Sequence, residues 1–158
     1  MARVLILYDS KSGRTEKMAL AVAEGVKQVK RVEVQVKKVE QADVKELTKA
    51  DGVILGSPTY YGQMSAKLKD FIDKSIKFHG KLEGKVGAAF TSSGGTASGA
   101  ETTLFSILQA LLIHGMIIQG RAGDKHYGAA IAGVPDEDDL KSCIDLGKRV
   151  ANLVVKLK

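Results

Sequence analysis

The residues best suited to chemistry near the N-terminus form one hexapeptide. It lies between an apolar run at 4–8 and a helix-like stretch at 18–29, and it reads Ser10-Lys11-Ser12-Gly13-Arg14-Thr15. A strand that leads through a hydroxyl-rich loop into a helix is typical of a phosphate site, because free N–H groups and the helix dipole there favour an anion. The loop matches neither Walker A nor G-x-G-x-x-G. It predicts a monophosphate ligand held without Mg²⁺, although the same residues also suit an ordinary helix N-cap.

Two later segments have the composition of ligand-binding loops. The second loop spans 57–65 and contains Pro58-Thr59-Tyr60-Tyr61-Gly62. One of the two consecutive tyrosines is expected to face a ligand, because both cannot easily be core residues and an aromatic face can stack on a planar ring. The third loop spans 91–99 and contains Ser92-Ser93-Gly94-Gly95-Thr96. Its glycines allow the backbone to approach a ring closely.

Apolar runs alternate with helical patterns along the whole chain. Strands are predicted at 3–8, 32–36, 52–56, 85–90 and 116–119, and helices at 14–29, 43–49, 66–76, 100–113 and 136–156. In the third of these helices we expect the inward residues to be Leu68, Phe71, Ile72 and Ile76. Such βα units give a parallel sheet with helices on both faces. We therefore predict one α/β domain over 1–158, a five-stranded flavodoxin-like sheet in the order 2-1-3-4-5.

The predicted strand order brings the three loops together. Ligands of such sheets bind beyond the carboxyl ends of the strands, at the point where the strand order reverses. The three loops follow the first, third and fourth strands, which are neighbours in the order 2-1-3-4-5. The strand order of dinucleotide-binding folds would not bring these same loops together. The sequence thus predicts one crevice formed by all three.

Four motifs resemble those of known flavin proteins. The segment 10–15 resembles the phosphate loop of flavodoxins, and G-S-P-T-Y-Y-G-Q-M-S at 56–65 resembles G-T-P-T-R-F-G-N-M-S. L-I-H-G-M at 112–116 resembles H-H-G-M, and Y-G-A with I-A-G at 127–133 resembles P-Y-G-A and I-A-G. The last three patterns belong to the tryptophan-repressor-binding-protein-like NAD(P)H:quinone oxidoreductases. Over nearly its whole length the chain resembles a short form of this family.

The resemblance implies an FMN-dependent NAD(P)H:quinone oxidoreductase that transfers hydride by a ping-pong reaction. The first loop would hold the FMN phosphate, the second loop would flank the ring, and the third loop would wrap its pyrimidine end and stabilise charge at N1–O2. The third loop has no aromatic residue, so one face of the ring would stay open to substrate. By the same resemblance, His114 would bond the flavin or a quinone oxygen, from its own or a neighbouring subunit. The interaction of a helix C-terminal histidine with the helix dipole is the equally weighted alternative.

The chain also departs from the family pattern. The connection between the second and third strands is short, 37–51, where longer members carry an insertion that contributes to tetramer contacts. The family's Arg-Phe pair is Tyr60-Tyr61 here. A family tryptophan that lines the substrate site has no counterpart, and only Phe78 and His79 lie nearby. The substrate pocket and the assembly, a dimer or a tetramer, are therefore the least transferable features.

The amino-acid composition limits the classes of function that the protein can have. The formal net charge is +6, but the basic residues are dispersed and there are only 4 Phe and 4 Tyr. That pattern argues against nucleic-acid binding, which favours interleaved aromatics, and fits an anionic cofactor or an acidic electron-transfer partner. The single cysteine, Cys143, excludes an internal disulfide, and no Cys/His cluster suggests a metal. With no signal-peptide pattern and no membrane-length apolar run, the expected location is the cytoplasm.

Two functions remain open at the level of sequence. The first is the quinone reductase, and the second is a flavodoxin-type carrier that docks a redox partner and passes one electron at a time. No residue specifies NADH or NADPH, although Lys11 or Arg14 is able to contact a 2′-phosphate. The quinone is equally unspecified.

Overall fold

The computed structural model describes every residue from Met1 to Lys158. Its strands are β1 Ala2–Tyr8, β2 Val32–Lys38, β3 Gly52–Pro58, β4 Val86–Ser93, β5 Ile117–Ile118 and β6 Ala129–Ala132. Its α-helices are α1 Arg14–Lys27, α2 Glu46–Lys49, α3 Ala66–Lys74, α4 Ala100–Ile113 and α5 Glu137–Leu157. Short 3₁₀ turns follow β2 at Val39–Gln41 and α3 at Ser75–Phe78. No helix has both the length and the apolar character needed to cross a membrane.

The sheet is parallel in the order β2-β1-β3-β4-β5, which confirms the predicted order. The fifth position, however, is divided between two short strands. β5 pairs with Val86 and Gly87 at the start of β4, and β6 pairs with Phe90 to Ser93 at its end. The prediction of a single strand at 116–119 was wrong there, because ten residues, 119–128, leave the sheet edge between the two pieces.

Two hydrophobic clusters lie on opposite faces of the sheet. One joins the sheet to α1 and α5, and the other joins it to α2, α3 and α4. Helices α1 and α5 approach each other closely at two glycines: a Cβ at Gly25 would lie 1.9 Å from Ile144 O, and one at Gly147 would lie 1.9 Å from Val22 O. Cys143 of α5 is fully buried, and burial raises its pKa to about 12, as expected of a packing residue.

Helix boundaries follow local chemistry. Ser65 caps α3 by accepting from Leu68 N, and Asp136 caps α5 in a reciprocal pair with Asp139. The predicted inward position of Ile76 was wrong: its exposed fraction is 76%. The α-helix ends at Lys74, and the 3₁₀ turn that follows has a different period, so the helical spacing no longer applies there.

Candidate functional site

The three loops meet at the carboxyl edge of the sheet, as their order predicts. They enclose a cavity of about 370 Å³, which we call the phosphate cavity. Its lining residues are Lys11, Ser12, Arg14, Thr15, Pro58, Thr59, Tyr60, Ser92, Ser93 and Gly94. Ten predicted site residues from all three loops therefore share one crevice.

Buried and partly buried hydroxyls join the loops to one another. Thr15 Oγ1 lies 2.8 Å from Ser92 Oγ and joins the first loop to the third. Thr59 Oγ1 lies 2.8 Å from Thr91 Oγ1, and Thr59 N donates to Ser92 O at 2.7 Å, which joins the second loop to the third. Breaking one of these contacts would leave a buried polar group without a hydrogen-bond partner, which costs free energy. The contacts therefore hold the crevice in one shape before any ligand binds.

The first loop is organised around Ser10. Its hydroxyl oxygen accepts from Gly13 N at 3.2 Å and from Glu16 N at 3.3 Å, so its own proton stays free for an outside acceptor. Gly13, the N-cap residue of α1, takes a left-handed φ of 91° and has no side chain of its own to cap the helix. The N–H groups of Lys11 and Ser12 donate to no protein acceptor. The loop therefore offers a cluster of unused donors to an anion.

A partly buried contact behind this loop was not predicted from the sequence patterns. Tyr8, at the end of β1, donates from its hydroxyl to Glu16 Oε2 at 2.6 Å, and Lys38 Nζ lies 3.9 Å from the same oxygen. Burial and the Glu16 contact raise the pKa of Tyr8. The contact orients a carboxylate that stands beside the phosphate loop. The only sequence signal is a tyrosine at the end of an apolar strand followed eight residues later by an acid.

The second loop forms a tight hairpin, with Tyr60 and Gln63 paired through both backbone groups. At its tip Tyr61 has a φ of 51° and Gly62 a φ of 74°. Tyr60 lines the phosphate cavity, whereas Tyr61 is fully exposed. This division agrees with the expectation that only one of the two tyrosines faces the ligand.

We expect the left-handed backbone at Tyr61 to show in stability. Tyr61→Gly and Tyr61→Ala both remove the exposed ring, but only glycine takes a positive φ without steric cost. The glycine variant should therefore be more stable than the alanine variant by about 1 kcal/mol. Urea unfolding of both variants measures the difference, and equal stability would contradict the strained turn.

The third loop presents unpaired backbone donors. None of the N–H groups from Gly94 to Ser98 donates a hydrogen bond within the protein. Ala97 has a φ of 53° and Gly99 a φ of 92°, and a Cβ at Gly99 would lie 2.7 Å from Gly62 Cα. The close backbone contact fixes the third loop against the second. It leaves a row of donors that can reach the polar edge of a ring.

Some predicted residues lie outside the lining of the cavity. Ser10 and Gly13 shape the first loop from behind, Tyr61 and Gly62 form the hairpin tip, and Gly95 and Thr96 continue the third loop. His114 is not brought to the site at all. It follows α4, whose 14 residues span about 21 Å from the third loop toward the opposite edge of the sheet.

His114 instead belongs to a separate cavity of about 490 Å³ between α3 and α4, which His79 and Ser75 also line. Ser75 Oγ donates to Ile72 O at 2.5 Å, so the 2.8 Å contact with His114 Nε2 is donated by the histidine. Its Nδ1 is buried and has no partner. Burial, and then the neighbouring His79, lower the pKa of His114 from its ordinary value of 6.5.

A pH effect on stability follows from this histidine. Protonation would place a buried N–H⁺ at Nδ1 without an acceptor, so the neutral ring is favoured in the folded state. Because the folded pKa is depressed, this contribution is present above about pH 6.5 and is lost as the pH falls toward the folded pKa. The melting temperature should therefore fall less between about pH 7.5 and about pH 5 in His114→Gln than in the wild type. Equal slopes in the two proteins would refute the assignment.

Comparison with known proteins agrees with this geometry. The family model described as NADPH-dependent FMN reductase matches residues 41–123, just over half of the chain. A protein named flavodoxin from Aquifex aeolicus is 40% identical over 162 residues, which cover 98% of this chain and 88% of that protein. A protein named NAD(P)H dehydrogenase (quinone) from Archaeoglobus fulgidus is 41% identical over 191 residues, which cover 99% and 100%.

The same fold occurs in a solved structure of a flavodoxin-like protein. The crystal structure of a flavodoxin, WrbA-like protein from Agrobacterium tumefaciens superposes with a TM-score of 0.85 at 28% identity and covers the whole of both chains. The loops, the strand order and these matches confirm the resemblance drawn from the motifs. The chain belongs to the NADPH-dependent FMN reductase family, among the flavodoxin-like FMN proteins.

Proposed function

We propose that this protein is an FMN-dependent NAD(P)H:quinone oxidoreductase that works by a ping-pong reaction. The single observation that carries the proposal is the crevice in which three loops converge on a phosphate cradle and leave a side without aromatic cover. The relatives named NAD(P)H dehydrogenase (quinone), at 36% and 41% identity over the full chain, support the same reaction class.

The residues present fit FMN. A phosphate would meet the free N–H groups of Lys11 and Ser12, the hydroxyl proton of Ser10 and the charges of Lys11 and Arg14. The ribityl chain and ring would then extend along Thr59 and Tyr60. When bound, FMN would supply the capacity to accept a hydride from a nicotinamide and to pass two electrons to a quinone.

The chain's own part would be binding, orientation and charge. Tyr60 would flank one side of the ring, while the N–H groups of 94–96 would stabilise negative charge at its pyrimidine end. Ser92 to Gly94 carry only small side chains beside the cavity, so donor and acceptor would use the same open face in turn. This shared face is the reason for proposing ping-pong turnover.

His114 has a role in the proposed reaction only if the protein forms an oligomer. Since α4 separates it from the crevice of its own chain, His114 would reach a flavin or quinone only from a neighbouring copy, in a dimer or tetramer. Sedimentation at assay concentration tests this directly: an active monomer would remove His114 from the reaction.

The experiment that tests the function is turnover by FMN-saturated protein. We expect the protein to bind FMN and to oxidise NADH or NADPH with a benzoquinone, with initial rates that give parallel lines in double-reciprocal plots. FMN-saturated protein that oxidises neither nucleotide would overturn the proposed activity.

A one-electron carrier is the second candidate, and one observation favours it. The alignment with the Aquifex flavodoxin is 162 residues long, close to the 158 residues of this chain, so that protein carries few insertions relative to it. The alignment with the Archaeoglobus quinone dehydrogenase is 191 residues long and therefore includes more inserted residues. The exposed Tyr61 at the rim would then contact a protein partner. Reduction by a ferredoxin-type donor combined with no reduction by nicotinamides would favour the carrier.

A further inference from the structure

A second cavity, of about 530 Å³, lies beside the phosphate cavity. It is bounded by the first turns of α1 and by the segment that joins β6 to α5. Its lining residues are Ser12, Gly13, Arg14, Glu16, Lys17, Leu20, Val134 and Pro135. Ser12 and Arg14 line both cavities, so the two spaces meet at the phosphate loop.

The charges of this second cavity suit an additional phosphate. Arg14 and Lys17 form no ion pair with any carboxylate of the chain, and neither does Lys11 next door. The one acidic residue in the lining is Glu16, whose carboxylate accepts from Tyr8 and lies near Lys38. The unbalanced charge facing the cavity is therefore positive.

The remaining wall residues are apolar, and two of the three are exposed. Leu20 on α1 has an exposed fraction of 54%, and Val134 after β6 has one of 69%, while Pro135 between them and α5 is buried. Two aliphatic side chains from separate elements can cover the faces of a flat heterocycle. The volume lies within the range of pockets that hold small ligands.

We propose that the second cavity binds an adenosine phosphate group, with the purine between Leu20 and Val134 and the phosphate at Lys17, since Arg14 also faces the flavin phosphate next door. The inference rests on the proposed function, which supplies a flavin in the adjoining cavity. Two molecules carry this group. One is FAD, whose AMP half continues from the flavin phosphate, and the other is NADPH, whose adenosine bears a 2′-phosphate.

Two titrations distinguish the sources. FMN-free protein is titrated with FMN and with FAD, and FMN-loaded protein is titrated calorimetrically with 2′,5′-ADP and with 5′-AMP. If FAD is the source, FAD should bind about tenfold more tightly than FMN. If NADPH is the source, 2′,5′-ADP should bind about tenfold more tightly than 5′-AMP.

Two variants test whether the binding preference arises in this cavity. Val134→Asp should remove the preference that the wild type shows, because it places a carboxylate in the apolar wall next to the phosphate position. Lys17→Gln should remove it as well, because the loss of one charge at the phosphate is expected to cost about the tenfold preference itself. The matched controls are Val155→Asp and Lys148→Gln, which change an exposed valine and an exposed lysine elsewhere on α5 and should bind as the wild type does.

The inference is overturned if neither titration shows a preference, or if the cavity variants bind like their controls. Neither measurement involves a quinone or hydride transfer. A protein that shows the preference but no turnover would therefore refute the reductase and leave the cavity assigned, whereas turnover without a preference would do the reverse.

Discussion

Ser12→Asp is expected to lower the affinity for FMN by about 100-fold or more, which corresponds to about 2.7 kcal/mol. The exposed hydroxyl of Ser12 lines the phosphate cavity next to two unused N–H groups. A carboxylate there would lie within a few ångströms of the phosphate, and at an effective dielectric constant near 20 two unit charges about 4 Å apart repel by about 4 kcal/mol. The dissociation constant is measured by quenching of flavin fluorescence.

Riboflavin and a second serine provide the controls. Riboflavin lacks the phosphate, so its affinity should be the same for Ser12→Asp and the wild type. Ser98 precedes Gly99 at the start of α4 as Ser12 precedes Gly13 at the start of α1, but it does not line the cavity. Ser98→Asp should therefore change FMN affinity far less. Equal losses in the two variants, or an equal loss of riboflavin affinity, would show that the first loop does not hold the phosphate.

Gly147→Ala should destabilise the fold by about 3 kcal/mol or more, near the upper end of the cost of overpacking. The added Cβ would lie 1.9 Å from Val22 O and 3.1 Å from Val26 N, both backbone atoms of α1. Backbone cannot move aside as the end of a side chain can, so the helices must separate and part of the core beneath them must open. For a chain of this length the melting temperature should fall by about 6–12 °C.

Gly120→Ala is the matched control, because a Cβ there would meet only His126 O at an ordinary 3.7 Å. Its melting temperature should stay within about 2 °C of the wild type. Gly25→Ala should reproduce the effect of Gly147→Ala from the other helix, with a Cβ 1.9 Å from Ile144 O. A Gly147 variant as stable as the control would mean that α1 and α5 do not pack this closely.

The parts of the fold that sequence predicts well are those fixed by local chemistry. The helix at 100–113 agrees at both ends, because its apolar period is unbroken and Gly99 and Gly115 bound it. The cap at Asp136 follows from a proline and three acids in the first turn. The strand order follows from the alternation of strands and helices, and the meeting of the three loops follows from that order.

The features that were not predicted from the sequence depend on contacts between residues far apart in the chain. Strand β6 is the apolar tetrapeptide Ala-Ala-Ile-Ala, without alternation, and it exists because the end of β4 needs a partner. The helix at 14–29 stops at Lys27, before Arg31 turns through a φ of 66° into β2. His114 lies in a family motif, but a motif does not show how far the residue is from the three loops. In the structure His114 follows α4, whose length separates it from them. The link from Tyr8 to Glu16 joins a strand to a helix and has no periodic signal.

The most direct test of the account is anaerobic mixing of FMN-loaded protein with NADH and NADPH in parallel, followed by addition of benzoquinone. We predict that the visible absorbance of the oxidised flavin is bleached by at least one nucleotide and restored in full by one equivalent of quinone. A flavin that keeps its absorbance with both nucleotides would contradict the central claim that this crevice holds FMN for reduction by a nicotinamide.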